Sequence, residues 1–225
     1  MNTIDIKISK SCGDIIYSLP SIKALCRVLE VKAHYYIGQS RYTNLDVFNA
    51  VRKLLEEQSY IEGVYRLASK GYDIDFDNVK VNIINQLPAQ FHKAVEQQSG
   101  VILHLDISNP WLTVEPSKSS NFDLYNVTGR YNNYEFDFNK HILLNKNKAY
   151  FVGTAKEYAN YSSHDIEHLY TADLYEVARL IKSANNVYCN QSSILTIAQG
   201  LNHPNIYLAK DKRFTSVVLN KEKIL

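Results

Sequence analysis

A chain of 225 residues can bury a sizeable core as one large domain or two small lobes, and is too short for three domains. With 45% hydrophobic and 21% charged residues, the composition is ordinary for a globular protein and excludes long disorder. The 25 Lys and Arg against 23 Asp and Glu leave a formal charge of +2. They form no dense basic block, which excludes the electrostatic footprint of a dedicated nucleic-acid binder.

The chain opens on a strand, Thr3 to Ser9, where Ile4, Ile6 and Ile8 alternate with polar residues. This alternation is unlike the continuous apolar stretch of a secretory signal. No apolar run approaches the roughly 18 residues of a membrane span, so a cytoplasmic location is expected. The three cysteines, Cys12, Cys26 and Cys189, are odd in number and lack CxxC spacing. They are therefore read as reduced thiols rather than a disulfide framework or zinc site. The glycosylation sequons at Asn126, Asn160 and Asn190 carry no meaning in a chain that stays in the cytoplasm.

Ser11-Cys12-Gly13 makes a turn, and Asp14 to Leu29 places apolar residues at helical spacing. Lys32 to Gly38 is the next strand, Asn44 to Gln58 an amphipathic helix and Gly63 to Leu67 a short strand. Leu87 to Gln98 has helical spacing, and Ser99 to Ile107 fits either a strand or a continued helix. The Ser-, Pro- and Asn-rich stretch from Ser108 to Asn121 predicts a linker, with a hinge near residues 112 to 121. The expected division is a first lobe over 1–112 and a second over 113–225, with the C-terminal tail packing back on the first.

The second half repeats the grammar. Phe122 to Thr128, Ala149 to Gly153, Asn186 to Cys189 and Asn205 to Leu208 read as strands, and Asp173 to Ser183 and Ser192 to Gly200 as helices. Alternating strands and helices imply parallel sheets, hence an α/β fold of two Rossmann-like lobes. In such sheets the ligand crevice lies beyond the carboxyl ends of the strands. The segments to inspect are therefore Ser9 to Asp14, Thr128 to Asn133, Gly153 to Glu157 and Asn190 to Ser193.

At those segments the chain resembles the heptosyltransferase-like glycosyltransferases, whose GT-B fold sets two Rossmann-like lobes across a central cleft. The opening KISKSCGDIIYSLPSIKAL is similar to the family's first strand, Gly-Asp turn and helix. LLEEQSYIEGVYRLASKGYDIDFD resembles a recurrent segment of its first lobe. YTADLYEVARLIKSANNVYCNQSSILTIAQGL resembles its helix, strand, Asn-Asp/Gln-Ser turn and helix almost element by element. FVGTAKE is similar to the preceding strand and Gly-rich turn, and WLTVEP and VTGRYNN to the start of the second lobe in shorter members.

The resemblance implies a nucleotide-sugar donor in the second lobe, an acceptor hydroxyl, and no metal or other cofactor. It nominates Asp14 as general base; by its spacing alone, Ser11-x-x-Asp14 is equally a helix cap. Gly13 permits a tight turn or close ligand approach. Asn190, Gln191, Ser192 and Ser193, at a helix N-terminus, would hold the donor diphosphate. Gly153 and Thr154 would shape the neighbouring turn. Glu157 would accept from the ribose, and Arg130 or Lys156 would offset leaving-group charge.

Several positions depart from the family pattern: Gln191 stands where many active members carry Asp, Ser193 where they carry Gly, and Thr196 where they often carry His. A protein of the same fold that binds or sequesters a nucleotide or nucleotide-sugar without transfer is the alternative. His164-Asp165-Ile166-Glu167-His168 matches the H-x-x-E-H zinc pattern, but falls where a short strand is expected, which would set the histidines too far apart for one metal. The 17 tyrosines are dispersed and form no base-stacking stripe.

Overall fold

The computed structural model of the chain describes residues 2–40, 43–66, 71–80, 85–129, 136–145, 147–162, 166–211, 216–219 and 221–225. Its first half contains β1 (Thr3–Ile8), α1 (Cys12–Leu29), β2 (Lys32–Ile37), α2 (Leu45–Glu56), β3 (Ile61–Arg66), β4 (Ile74–Asp75) and α3 (Leu87–Ser99). The strands form one sheet in the order β3-β2-β1-β4, every pair parallel. Buried Ile6, Ile8, Tyr35 and Ile37 share a core with Ile15, Ile16, Leu19 and Ile22 of α1. Pro20 lies inside α1, where it removes one backbone hydrogen bond. Ten buried side chains, from Ile15 to Cys26, hold the helix in place despite that loss.

The second half contains β5 (Asp123–Asn126), α4 (Phe138–Leu144), β6 (Ala149–Val152), α5 (Ala155–Tyr158), β7 (Glu167–Leu169), α6 (Leu174–Ser183), β8 (Asn186–Cys189), α7 (Ser193–Gly200), β9 (Ile206–Leu208) and β10 (Glu222–Ile224). Its sheet runs β10-β9-β8-β5-β6-β7, again wholly parallel. The protein is thus α/β with two parallel sheets, as its alternating periods predict.

The predicted strands and helices appear with ends shifted by at most two residues. The stretch from 100 to 107 takes neither expected form and is irregular. Leu103 N–H donates to the Glu96 carboxylate, and the Leu103 carbonyl lies 3.2 Å from His92 Nε2. That anchors an irregular segment against α3 without a ladder. β10 was expected only as tail.

The stretch read as a linker is exposed over Ser108 to Pro110 and buried at Trp111 and Leu112. Trp111 and Leu112 are each 1% exposed, and both their N–H groups donate to the Gly200 carbonyl at the end of α7. The tail returns to the first half, since Leu87 N–H donates to the Ser216 carbonyl and the Gln86 amide to that of Val218. Cys26 and Cys189 are buried, and burial pushes the Cys26 thiol up to about 12.

His203 ties the α6–β8 turn to the loop before β9. Its Nε2 lies 3.0 Å from the Ala184 carbonyl and its Nδ1 accepts from Asn205 N–H at 3.2 Å. A ring accepting on Nδ1 and contacting a carbonyl through Nε2 is neutral, with its proton on Nε2. Burial chiefly holds its pKa below the ordinary value of 6.5. An unfolded histidine takes up its proton near pH 6.5 and folded His203 only at lower pH, so the unfolded state binds more protons in that window. Stability should therefore fall as pH drops below about 6.5. Urea midpoints at pH 7.5 and 5.5 check this, because His203→Gln should reduce the pH-dependence of the midpoint.

Candidate functional site

The carboxyl end of β1 leads through Ser9 and Lys10 into the first turn of α1, and that of β8 leads through Asn190 and Gln191 into the first turn of α7. The two turns meet. A Cβ on Gly13 would lie 3.4 Å from the Thr196 hydroxyl. One turn further along, the Tyr17 hydroxyl donates to Gln199 Oε1 at 2.7 Å. Tyr17 is fully buried, and desolvation pushes its phenol far above the ordinary range; it is thus a neutral structural link between the halves.

Asp14 sits half-buried in this junction, and its Oδ2 accepts from the Ser11 hydroxyl at 2.8 Å. The reciprocal cap, Asp14 N–H to Ser11 Oγ, is long at 3.5 Å. The carboxylate is therefore oriented by Ser11, with one oxygen directed to it.

The other predicted positions gather at the carboxyl edge of the second sheet. Asn190 is fully buried; its Oδ1 accepts from Thr128 N–H at 3.0 Å and its Nδ2 donates to the Thr128 carbonyl at 2.8 Å. Both ends of its amide thus clasp the loop after β5. Gln191 is 3% exposed, and Ser192 and Ser193 are half-buried at the start of α7.

Gly153 lies next in the sheet, at φ 149°, a conformation that favours glycine. A Cβ there would come within 2.9 Å of Phe151, 3.0 Å of Glu157 Oε2 and 3.1 Å of Asn126 Nδ2. Thr154 and Glu157 form a capping box: Glu157 Oε2 accepts from Thr154 N–H and Oγ at 2.9 Å, and Glu157 N–H donates to Thr154 Oγ at 3.2 Å. Glu157 Oε1 has no hydrogen bond among the described residues and is the oxygen that can receive a ligand hydroxyl. Lys156 is exposed on α5. Arg130 lies outside the described residues, as do His164 and Asp165 of the H-x-x-E-H pattern. Glu167 and His168 of that pattern fall on strand β7.

Asn126 was not nominated from sequence. It is 3% exposed at the end of β5, donates to the Val152 carbonyl at 2.7 Å and accepts from the Ser192 hydroxyl at 2.8 Å. One side chain therefore joins the ends of β5 and β6 to the start of α7. Among the described residues, no group of three or more His, Cys, Asp and Glu is placed to hold a metal, and no helix is long and apolar enough to cross a membrane.

No family model matches the chain, and no curated protein matches it in sequence. Solved structures do match. The Escherichia coli heptosyltransferase WaaC with ADP superposes with a TM-score of 0.72 at 12% identity, over 99% of this chain and 92% of that one. This chain has a heptosyltransferase-like fold. The E. coli ADP-heptose LPS heptosyltransferase II gives a TM-score of 0.65 at 13% identity, over 100% of this chain and 90% of that one. A glycosyl transferase of family 9 from Veillonella parvula DSM 2008 gives 0.68 at 13% identity, over 99% and 85%. The heptosyltransferase-like architecture thus spans both sheets of the chain, with sequence identity low throughout.

Proposed function

We propose that the protein transfers a sugar from a nucleotide diphosphate donor to an acceptor hydroxyl without a metal. The first lobe (1–112) holds the acceptor and the second (113–225) the donor. The carrying observation is the meeting of the α1 and α7 first turns, which sets the Asp14 turn against the start of a helix whose cap side chain points elsewhere. The N–H groups and positive dipole end of α7 suit a diphosphate. The capping box leaves Glu157 Oε1 for the ribose. The ADP in the WaaC structure supports adenine as the first base to try.

In the reaction, Asp14 takes the proton of the acceptor hydroxyl as its oxygen attacks the anomeric carbon. The new C–O bond forms as the bond to the diphosphate oxygen breaks, and the nucleoside diphosphate leaves with the electron pair. Backbone N–H groups of α7 face the charge that develops on that leaving group.

Calorimetric titration with ADP and ADP-sugars, with UDP as comparison, should show saturable binding. Glu157→Gln should weaken it by about tenfold or more, the scale of a hydrogen bond to a charged group. Absence of binding by every nucleotide, with no effect of substitution at Glu157 or Gln191, sinks the assignment. A second reading, binding without transfer, draws on Gln191 in place of an acid and on the Ser11 hydroxyl held by Asp14. Mass spectrometry of ligand retained through purification, followed by a transfer assay, separates the two.

A further inference from the structure

α1, α2, α4, α5 and α6 are capped by their own N-cap side chains at Ser11, Asn44, Asp137, Thr154 and Asp173, each accepting from a first-turn N–H, whereas α3, entered through Gln86, has no side-chain cap. Ser192, at the N-cap of α7, has the right chemistry and makes no such bond. Its hydroxyl donates instead to Asn126 Oδ1 at 2.8 Å, and Asn126 is itself pinned by donating to the Val152 carbonyl at 2.7 Å. Because the Asn126 amide is held at both ends, its oxygen is a fixed acceptor.

A second polar group waits at the same corner. Thr128, whose backbone Asn190 clasps, is 7% exposed, and its hydroxyl has no hydrogen-bond partner among the described residues. A buried hydroxyl left without a partner points to a group that the described residues do not supply.

We propose that Asn126 is a positioning residue that takes the Ser192 hydroxyl so that the first-turn N–H groups of α7 stay open for a phosphate-bearing ligand. This rests on the donor-site reading above. A serine at this position would ordinarily turn back onto Leu195 N–H, the third helical residue, and compete with the ligand for it. Asn126 removes the competitor without removing the residue.

The test is a double-mutant cycle on the full chain, read by calorimetry with ADP as probe. Asn126→Ala frees Ser192 to cap its own helix, so ADP binding should weaken by about fivefold to tenfold, the factor an ordinary side-chain cap imposes. Ser192→Ala in the native background is the reference arm of the cycle and isolates whatever the hydroxyl itself contributes to ADP binding. The decisive arm is Asn126→Ala with Ser192→Ala, which should recover most of the affinity lost in Asn126→Ala alone. A merely structural role for Asn126 predicts additive losses instead. Amide exchange adds a readout free of ligand: Leu195 N–H should become more protected in Asn126→Ala.

Unchanged binding in Asn126→Ala, or no recovery in the double variant relative to Asn126→Ala, overturns the proposal while leaving the donor site standing. If Asn126→Ala fails to fold, amide exchange on the wild-type chain decides: without ligand, Leu195 N–H should exchange faster than the capped Glu176 N–H, and equal protection overturns the proposal. Failure of the wild-type chain to bind ADP or any other nucleotide overturns the donor-site reading first, and this inference with it.

Discussion

Asp14→Asn is expected to leave nucleotide affinity within about twofold while lowering sugar transfer by about 10²- to 10⁴-fold, the usual worth of a positioned general base. Asparagine keeps the side-chain oxygen that accepts from the Ser11 hydroxyl and the backbone N–H at the start of α1. The turn against Thr196 should therefore survive. What is lost is the ability to accept a proton, so kcat should fall with little change in KM for the donor. Ser11→Ala supplies the complement. It removes the hydroxyl that fixes the carboxylate, costs about 1 kcal/mol in helix capping, and leaves the base present but less well oriented. A larger loss of transfer in Asp14→Asn than in Ser11→Ala, with Asp14→Asn no less stable than Ser11→Ala, assigns the proton to Asp14. Equal losses accompanied by equal destabilisation would instead mark Asp14 as a cap.

The parts of the fold legible in the sequence are those whose signal is local. β1 alternates Ile4, Ile6 and Ile8 against polar residues, and all three isoleucines are buried in the structure. α6 spaces Val177, Ala178 and Ile181 on one face, and those are its buried residues. β10 carried no such signal, because Glu222 to Ile224 forms a strand only where β9 offers its edge in parallel register. Trp111 and Leu112 were read with the Ser, Pro and Asn around them, whereas Gly200, nearly ninety positions later, provides their seat. At the site, Thr154 and Glu157 are expected as a turn residue and a ribose acceptor, and the structure joins them in a capping box as well. Asn126 could not be found from sequence, since a strand-end asparagine acquires meaning only from Val152 and Ser192, which topology brings to it.

The second large effect is expected far from the chemistry. Trp111→Ala should destabilise the chain by about 3–5 kcal/mol, the range for removing a buried aromatic. The indole is 1% exposed, the Lys221 ammonium lies 5.2 Å from its ring centroid, and the residue's carbonyl accepts from the Tyr60 hydroxyl at 2.9 Å. Its contact with α7 is tight: a Cβ on Gly200 would lie 2.9 Å from Trp111 Nε1 and 2.7 Å from Leu112 Cδ1. Gly200→Ala alone should therefore cost about 1–3 kcal/mol by overpacking. The two changes should not add, because truncating the indole opens part of the space the new methyl needs, so the double variant should be less destabilised than the sum. Urea denaturation of the four proteins measures the coupling; strict additivity would mean that Trp111 and Gly200 do not share this contact. Because α7 is seated at its C-terminal end by Trp111 and presents its N-terminal end to Gly13, loosening the seat should also lower ADP affinity. Folded Trp111→Ala at low temperature should show that loss while retaining Asp14 and Glu157 unaltered, tying the linker-like segment to the position of the helix proposed to bind the donor.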